Sequence, residues 1–265
     1  MTNIDIQTAR SIAAELHRAA ENRAPCAPIR SQIRDADVLS AAYAIQEINT
    51  VRALANGRRL VGRKIGLTSL AVQKQLGVDQ PDFGMLFEDM RVASGSHVPI
   101  GRLIQPKIEA EVAFILKAPL FSSRPTIEAL VEATDYACAA LEIVDSRIVN
   151  WDIHLQDTIA DNASSGLFVL SDERHPLAEL DLVGCKMFMR WCETETVSSG
   201  TGAHCMGNPL NAALWLAGKM VELGRPLQTG DCILSGALGP MVAARQGDSF
   251  AASIEGLGTV SVSFD

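Results

Sequence analysis

The sequence lacks several features that would point to common classes of function. Its six cysteines form no C-x-x-C pair and show no ligand spacing with the five histidines, which argues against zinc and against a disulfide framework. A net charge of −8 with no concentrated basic region gives no reason to expect a nucleic-acid partner. Neither a G-x-x-x-x-G-K-[ST] loop nor a G-x-S-x-G elbow occurs, which argues against a phosphate loop and serine-hydrolase chemistry.

Long apolar stretches are missing as well. The first residues carry acid and lack an apolar core of signal-peptide length, and no run of about 18 uncharged apolar residues follows. We therefore expect a cytoplasmic protein with no membrane partner. The 265 residues are enough for one large domain with a small appendage.

The spacing of apolar residues divides the chain into two segments. Residues 1–59 are predicted to be helical, with one helix whose apolar face runs from Ala9 to Ala20 and a second from Asp35 to Gly57, capped by Asp35 or Asp37. Residues 60–265 alternate short apolar runs with glycines, which is typical of sheet. Within them a helix is predicted from Asn208, a good cap followed by Pro209 at the first helical position, to Gly224. We predict a mixed α+β protein with a twisted, partly closed β-structure and helices outside it.

Two predicted strands carry carboxylates between apolar residues. Glu109 and Glu111 lie two apart in the strand 108–116, so their side chains share a face, and Glu142 lies on the strand 139–144. Close carboxylates on apolar strands repel each other unless a cation binds them, and an all-carboxylate ligand set favours Mg²⁺ or Mn²⁺. The spacing alone leaves open that Glu109 and Glu111 face solvent on an edge strand.

Three further segments contain candidate site residues. Lys64 lies between two glycines and is suited to bind a carboxylate or enolate, although a surface lysine in a turn is the more common case for this residue type. Asp82 lies in a predicted loop, 77–86, as a general acid or base or simply as a turn residue. The segment 157–166 is rich in small hydrogen-bonding groups, which suit either a substrate carboxylate or a capped loop.

Taken together, these segments resemble one family. The motifs that carry the resemblance are Gly62–Thr68, Gln80–Gly84, Pro106–Phe114, Glu142–Arg147, Ala160–Ser165, Gly207–Ala212 and Gly256–Val260. They are similar, in collinear order from about Leu60 to the C-terminus, to the 2-hydroxypenta-2,4-dienoate (2-keto-4-pentenoate) hydratase and 4-oxalocrotonate decarboxylase family of the fumarylacetoacetate hydrolase superfamily. The hydratase branch looks closer, because decarboxylases tend to lack an acid at the position of Asp82.

The resemblance implies a rolled β-structure, a catalytic domain over 60–265 and a homo-oligomer. It implies Mg²⁺ or Mn²⁺ on three carboxylates and assigns roles to eight residues. Those residues are Glu109, Glu111 and Glu142 for the metal, Lys64 and Asp82 for catalysis, and Leu86, Ser164 and Ser165 for substrate binding.

The implied activity is the addition of water to 2-hydroxypenta-2,4-dienoate, or to an analogue substituted at C5, in the meta-cleavage catabolism of aromatic compounds. Two alternatives stay open. One is metal-dependent decarboxylation of 4-oxalocrotonate, and the other is a non-catalytic partner role beside such a decarboxylase. A complex with a related decarboxylase or a downstream aldolase is a further expectation.

Overall fold

A computed structural model of the chain describes residues 4–33, 37–69, 73, 78 and 80–265. The helices are α1 (Ile6–Asn22), α2 (Val38–Ala55), α3 (Ile127–Ala133), α4 (Leu155–Ala160) and α5 (Pro209–Glu222). The strands are β1 (Leu60–Gly66), β2 (Asp82–Phe87), β3 (Arg91–Ala93), β4 (Ser96–Val98), β5 (Lys107–Leu116), β6 (Thr134–Val144), β7 (Ser165–Leu170), β8 (Lys186–Trp191), β9 (Glu195–Thr201), β10 (Cys232–Leu234), β11 (Val242–Ala243), β12 (Ser249–Ile254) and β13 (Gly258–Phe264). These elements confirm the predicted α+β class.

Within the described ranges the strands form two curled sheets. The larger has eight strands in the order β2-β1-β10-β5-β6-β7-β3, with β11 also paired to β5, and the smaller has five in the order β4-β13-β12-β8-β9. Buried side chains of both sheets, including Phe114, Phe168, Phe250 and Phe264, form one continuous core. The central strands β5 and β6 are buried over most of their length, which explains their nearly continuous apolar sequence.

The N-terminal helices pack on the sheet region through a second apolar cluster, in which Ile12 and Ile45 meet Ile148 and Ile159. The buried Gln46 amide on α2 donates to the carbonyls of Phe83 (2.9 Å) and Ile159 (3.0 Å), which ties α2 to β2 and α4. The predicted boundary between residues 59 and 60 falls at the start of β1. As a domain division it stays a prediction.

Local signals predicted the starts of two helices correctly. Asp37 caps α2 by accepting from Ser40 N–H (3.1 Å), while Asp35 lies outside the described residues. Asn208 caps α5, with Pro209 at its first position. One prediction on α1 is wrong, because Ala20 is exposed and Ala19 is buried in its place.

The predicted loop 77–86 is also wrong from Asp82 onward. Residues Asp82–Phe87 form a fully buried strand paired antiparallel with β1. Pairing with a distant strand has here overridden the local turn signals of Pro81 and Gly84. Among the described residues, no helix is both long enough and apolar enough to span a membrane.

Candidate active site

Three glutamates from two neighbouring strands converge at one point. Glu109 and Glu111 share a face of β5, and Glu142 on β6 lies directly opposite Glu109 in the antiparallel register. One carboxylate oxygen from each lies within 4.8 Å of the other two. Glu111 and Glu142 are fully buried and Glu109 is partly buried. Because β5 lies between β10 and β6, the alternative of an edge strand is wrong for Glu109 and Glu111, and Glu111 does not face solvent.

Ionising all three glutamates would cost free energy unless a cation neutralised them. Burial, reinforced by the charge of Glu142, raises the pKa of Glu109 to about 7 and that of Glu111 well above its usual range. Within the described part of the chain, Glu111 Oε1 and Glu142 Oε2 have no hydrogen-bond partner, whereas Glu111 Oε2 accepts from Gly236 N–H at 2.7 Å. Converging, desolvated oxygen donors of this kind fit a hard divalent cation.

Lys64 lies beside the cluster rather than on the surface. Its Nζ is 3.1 Å from Glu142 Oε1 and donates to the carbonyl of Ala163 at 3.0 Å. Burial alone would lower the pKa of Lys64, but the neighbouring Glu142, Glu109 and Asp82 carboxylates raise it above the ordinary value. The side chain is therefore a fixed positive charge, and the alternative of a surface lysine is wrong.

Asp82 on β2 lies diagonally opposite Lys64 on β1, because Asp82 pairs with Gly66 and Lys64 pairs with Gly84. A Cβ at Gly66 would lie 2.2 Å from Asp82 Oδ1 and 3.6 Å from Lys64 Nζ. Among the described residues, nothing donates to Asp82 Oδ1. Burial raises the pKa of Asp82 to about 6, with Lys64 lowering it and Glu142 raising it. This carboxyl can change protonation state near neutral pH.

The three predicted substrate-binding residues are all buried. Ser164 lies next to Ala163, with its Oγ 3.3 Å from Thr158 Oγ1. Ser165 Oγ donates to the Asn162 carbonyl at 2.7 Å, and Leu86 lies on β2 opposite Gly62. Their contact with a substrate stays a prediction.

Comparison with known proteins shows the family of this chain. A model of the fumarylacetoacetate (FAA) hydrolase C-terminal family matches residues 50–264. The chain is 58% identical over 264 residues to 2-keto-4-pentenoate hydratase 1 of Dechloromonas aromatica (strain RCB), with 100% of both chains covered. The chain belongs to the FAA hydrolase family and, within it, to the 2-keto-4-pentenoate hydratases. The predicted family and branch are thereby confirmed.

Two further likenesses extend the comparison. The chain is 53% identical over 255 residues to the TodF product hydratase of Pseudomonas putida (strain F1), covering 96% of this chain and 94% of that protein. The 4-oxalocrotonate decarboxylase from Pseudomonas putida G7, solved in complex with magnesium and adipate, superposes with a TM-score of 0.95 at 31% identity and covers 100% of both chains. The fold of this family member is thus shared over its whole length.

Some groups around the glutamate cluster had no distinctive signal in the sequence. The Ala163 carbonyl and the Gly236 N–H are backbone groups, so the residue type at these positions does not predict their contacts. Asn162 belonged to a segment described only as rich in hydrogen-bonding groups, yet its side chain bonds both backbone polar groups of Met85. These groups could be distinguished from ordinary loop contacts only once the pairing of the strands was known.

Proposed function

We propose that this protein is a divalent-metal-dependent hydratase acting on 2-hydroxypenta-2,4-dienoate or a C5-substituted analogue. The product is 4-hydroxy-2-oxopentanoate or its homologue, formed in the meta-cleavage catabolism of aromatic compounds. The observation that carries the proposal is the convergence of Glu109, Glu111 and Glu142 within 4.8 Å, beside a buried Lys64, in a chain 58% identical to a named hydratase.

The three glutamates would hold Mg²⁺ or Mn²⁺, which supplies Lewis acidity toward the carboxylate and C2 oxygen of a 2-oxo acid. Lys64 then neutralises the bound anion, because its ammonium is fixed between Glu142 and the Ala163 carbonyl. Leu86, Ser164 and Ser165 would contact the rest of the substrate from β2 and the start of β7.

Asp82 is the proposed proton carrier. The dienol first ketonises: the C2 hydroxyl loses its proton and C5 gains one, which gives a conjugated 2-oxo-3-enoate. Water then adds at C4, where conjugation makes the carbon electrophilic, and its proton is removed while C3 gains one. A carboxyl whose pKa is raised to about 6 can both accept and deliver such protons near neutral pH.

The test is turnover of the dienoate by metal-loaded wild type and by Asp82→Asn. We expect turnover to fall by roughly 100-fold or more, within the range for loss of a general acid or base, while Mn²⁺ affinity stays within about twofold of wild type. Full activity in the variant would remove Asp82 from the scheme. Undiminished turnover after complete chelation of divalent ions would remove the metal.

Decarboxylation of 4-oxalocrotonate is the second candidate, because the decarboxylase from Pseudomonas putida G7 shares the fold along the entire chain. Such a reaction needs room for a second carboxylate beyond the cluster. Incubation with each substrate in turn separates the two activities, since one releases CO₂ and the other forms a hydroxylated product. A chain inactive on both with Mg²⁺ or Mn²⁺ would instead favour the non-catalytic partner role.

A homo-oligomer is part of this proposal. Large exposed apolar side chains such as Phe121 (66% exposed) and Phe188 (47%) are candidates for burial between copies, and sedimentation analysis would measure the state. The cytoplasmic location and the complexes with a decarboxylase or aldolase stay predictions.

A further inference from the structure

The open edge of the larger sheet is bridged by a side chain. Among the described strands β2 stands at one end of the sheet order, so the outward N–H and C=O of Met85 meet no neighbouring strand. The Asn162 carboxamide fills this gap: Oδ1 accepts from Met85 N–H at 2.7 Å and Nδ2 donates to Met85 C=O at 2.9 Å. The amide imitates the peptide of a further strand.

Asn162 begins a short segment of unusual backbone, which we call the seam segment, Asn162–Ser164. Its three residues have φ of 56°, 50° and 53°, all in the left-handed region that non-glycine residues rarely occupy. A run of this kind is held by its surroundings rather than by its own preference. The seam segment leads directly into β7, so the contact with Met85 joins β2 to β7.

Three other hydrogen bonds, from two side chains, hold the ends of the seam segment. Ser165 Oγ donates to the Asn162 carbonyl, and the Arg147 guanidinium donates to the backbone carbonyls of Asp161 and Ser165. The approach to β2 is close, because a Cβ at Gly84 would lie 2.4 Å from the Asn162 carbonyl oxygen. The seam segment is therefore held by β2 on one side and by Arg147 on the other.

What the seam segment presents to the site is the Ala163 carbonyl. That oxygen accepts from Lys64 Nζ at 3.0 Å, and the same ammonium lies 3.1 Å from the Glu142 carboxylate. These two groups anchor the buried ammonium. A shift of the carbonyl would leave Lys64 directed by Glu142 alone and would turn it away from a bound anion.

We propose that Asn162 is a positioning residue that acts through Lys64. Its carboxamide holds the seam segment against β2, so that the Ala163 carbonyl aims the ammonium at the substrate anion. The proposal rests on the proposed function for the identity of that anion, a 2-oxo acid. Its test, however, needs only an anion that has two adjacent carboxylate groups.

The test uses Asn162→Gly in the metal-loaded protein, with oxalate as the probe. Glycine keeps φ above zero at no steric cost, so the substitution removes the clamp without straining the backbone. We expect oxalate affinity measured by calorimetry to fall about tenfold and the turnover number to fall at least as much, with Mn²⁺ affinity unchanged. Asn162→Asp, which keeps the acceptor for Met85 N–H but not the donor, should move both quantities in the same direction and serves if the glycine variant does not fold.

A double-mutant cycle with Lys64→Met separates positioning from a general structural loss. If Asn162 acts through Lys64, Asn162→Gly should change oxalate affinity by less than about twofold once the ammonium is absent. The matched control is Asn49→Ala, which removes an amide-to-carbonyl bond of the same length, 2.9 Å to Ala13, between the N-terminal helices. It should lower the melting temperature and leave oxalate affinity unchanged.

Equal weakening of oxalate binding by Asn162→Gly with and without the Lys64→Met substitution would overturn the proposal, as would oxalate affinity and turnover within about twofold of wild type in both Asn162 variants. Failure of the proposed function has a different signature. It would show as wild-type protein that binds oxalate with metal but does not hydrate the dienoate, and the oxalate cycle would still report on Asn162.

Discussion

Replacing Asp82 by asparagine should stabilise the metal-free protein above neutral pH while it impairs the reaction. Asp82 is 1% exposed, and its Oδ1 has no hydrogen-bond partner among the described residues. An ionised carboxylate in such a place is costly, and a neutral amide of the same shape removes that cost. The site would then be one where function is retained at the expense of stability.

The magnitude follows from the pKa of Asp82, which burial raises from 3.8 to about 6. Because the folded state binds the proton more tightly than the unfolded state, stability is fully present below about pH 4 and is lost as the pH rises through about 6. A rise of this size corresponds to about 3 kcal/mol. The free energy of unfolding of Asp82→Asn minus that of wild type should therefore grow by up to this amount between about pH 4 and about pH 8.

Urea unfolding at several pH values, with chelator present, measures this difference. Asp157→Asn is the matched control, because Asp157 is equally buried but accepts from the N–H groups of Ile29, Arg30 and His154 and from the Arg30 guanidinium. Its replacement should destabilise by about 3 kcal/mol or more, as for a broken buried pair. A stability difference for Asp82→Asn that does not change with pH would refute the reasoning.

Three other changes test the site directly. Gly66→Ala should lower turnover by roughly 100-fold because its methyl group would lie 2.2 Å from Asp82 Oδ1, whereas Gly101→Ala, with no heavy atom within 4 Å, should be neutral in the same assay. Glu142→Gln should abolish saturable Mn²⁺ binding in calorimetry, and retained binding would remove Glu142 from the ligand set. Added Mg²⁺ should raise the melting temperature more at about pH 8 than at about pH 5, because the pKa of Glu109 is raised to about 7 and a protonated carboxyl is a poor ligand; equal rises would contradict this.

The sequence predicted those parts of the site that depend on local periodicity. The two-residue repeat of a strand placed Glu109 and Glu111 on one face, and the cap signals placed the start of α5 at Asn208 and Pro209. The place of Glu142 on a second apolar strand made it a candidate third ligand, and the family resemblance supported that role, but its pairing opposite Glu109 could not be predicted because strand register is not local information.

The remaining features arise from contacts between distant segments. Asp82 was predicted in a loop because Pro81 and Gly84 are turn-forming residues, but pairing with β1 makes the segment a strand. The role of the Ala163 carbonyl could not be predicted, since every residue has one and its position depends on a left-handed backbone segment. Resemblance from about Leu60 to the C-terminus gave the family without giving these contacts.

The pairing of Glu109 opposite Glu142 makes cation affinity a reporter of strand alignment. If β5 and β6 slipped by a single residue, the glutamates of one strand would point to the reverse side of the sheet and the three oxygens would no longer meet. A bound ion would therefore favour one alignment of two long apolar strands over its neighbours. If the ion binds during folding, it would stabilise the correct pairing of β5 and β6 before any substrate binds.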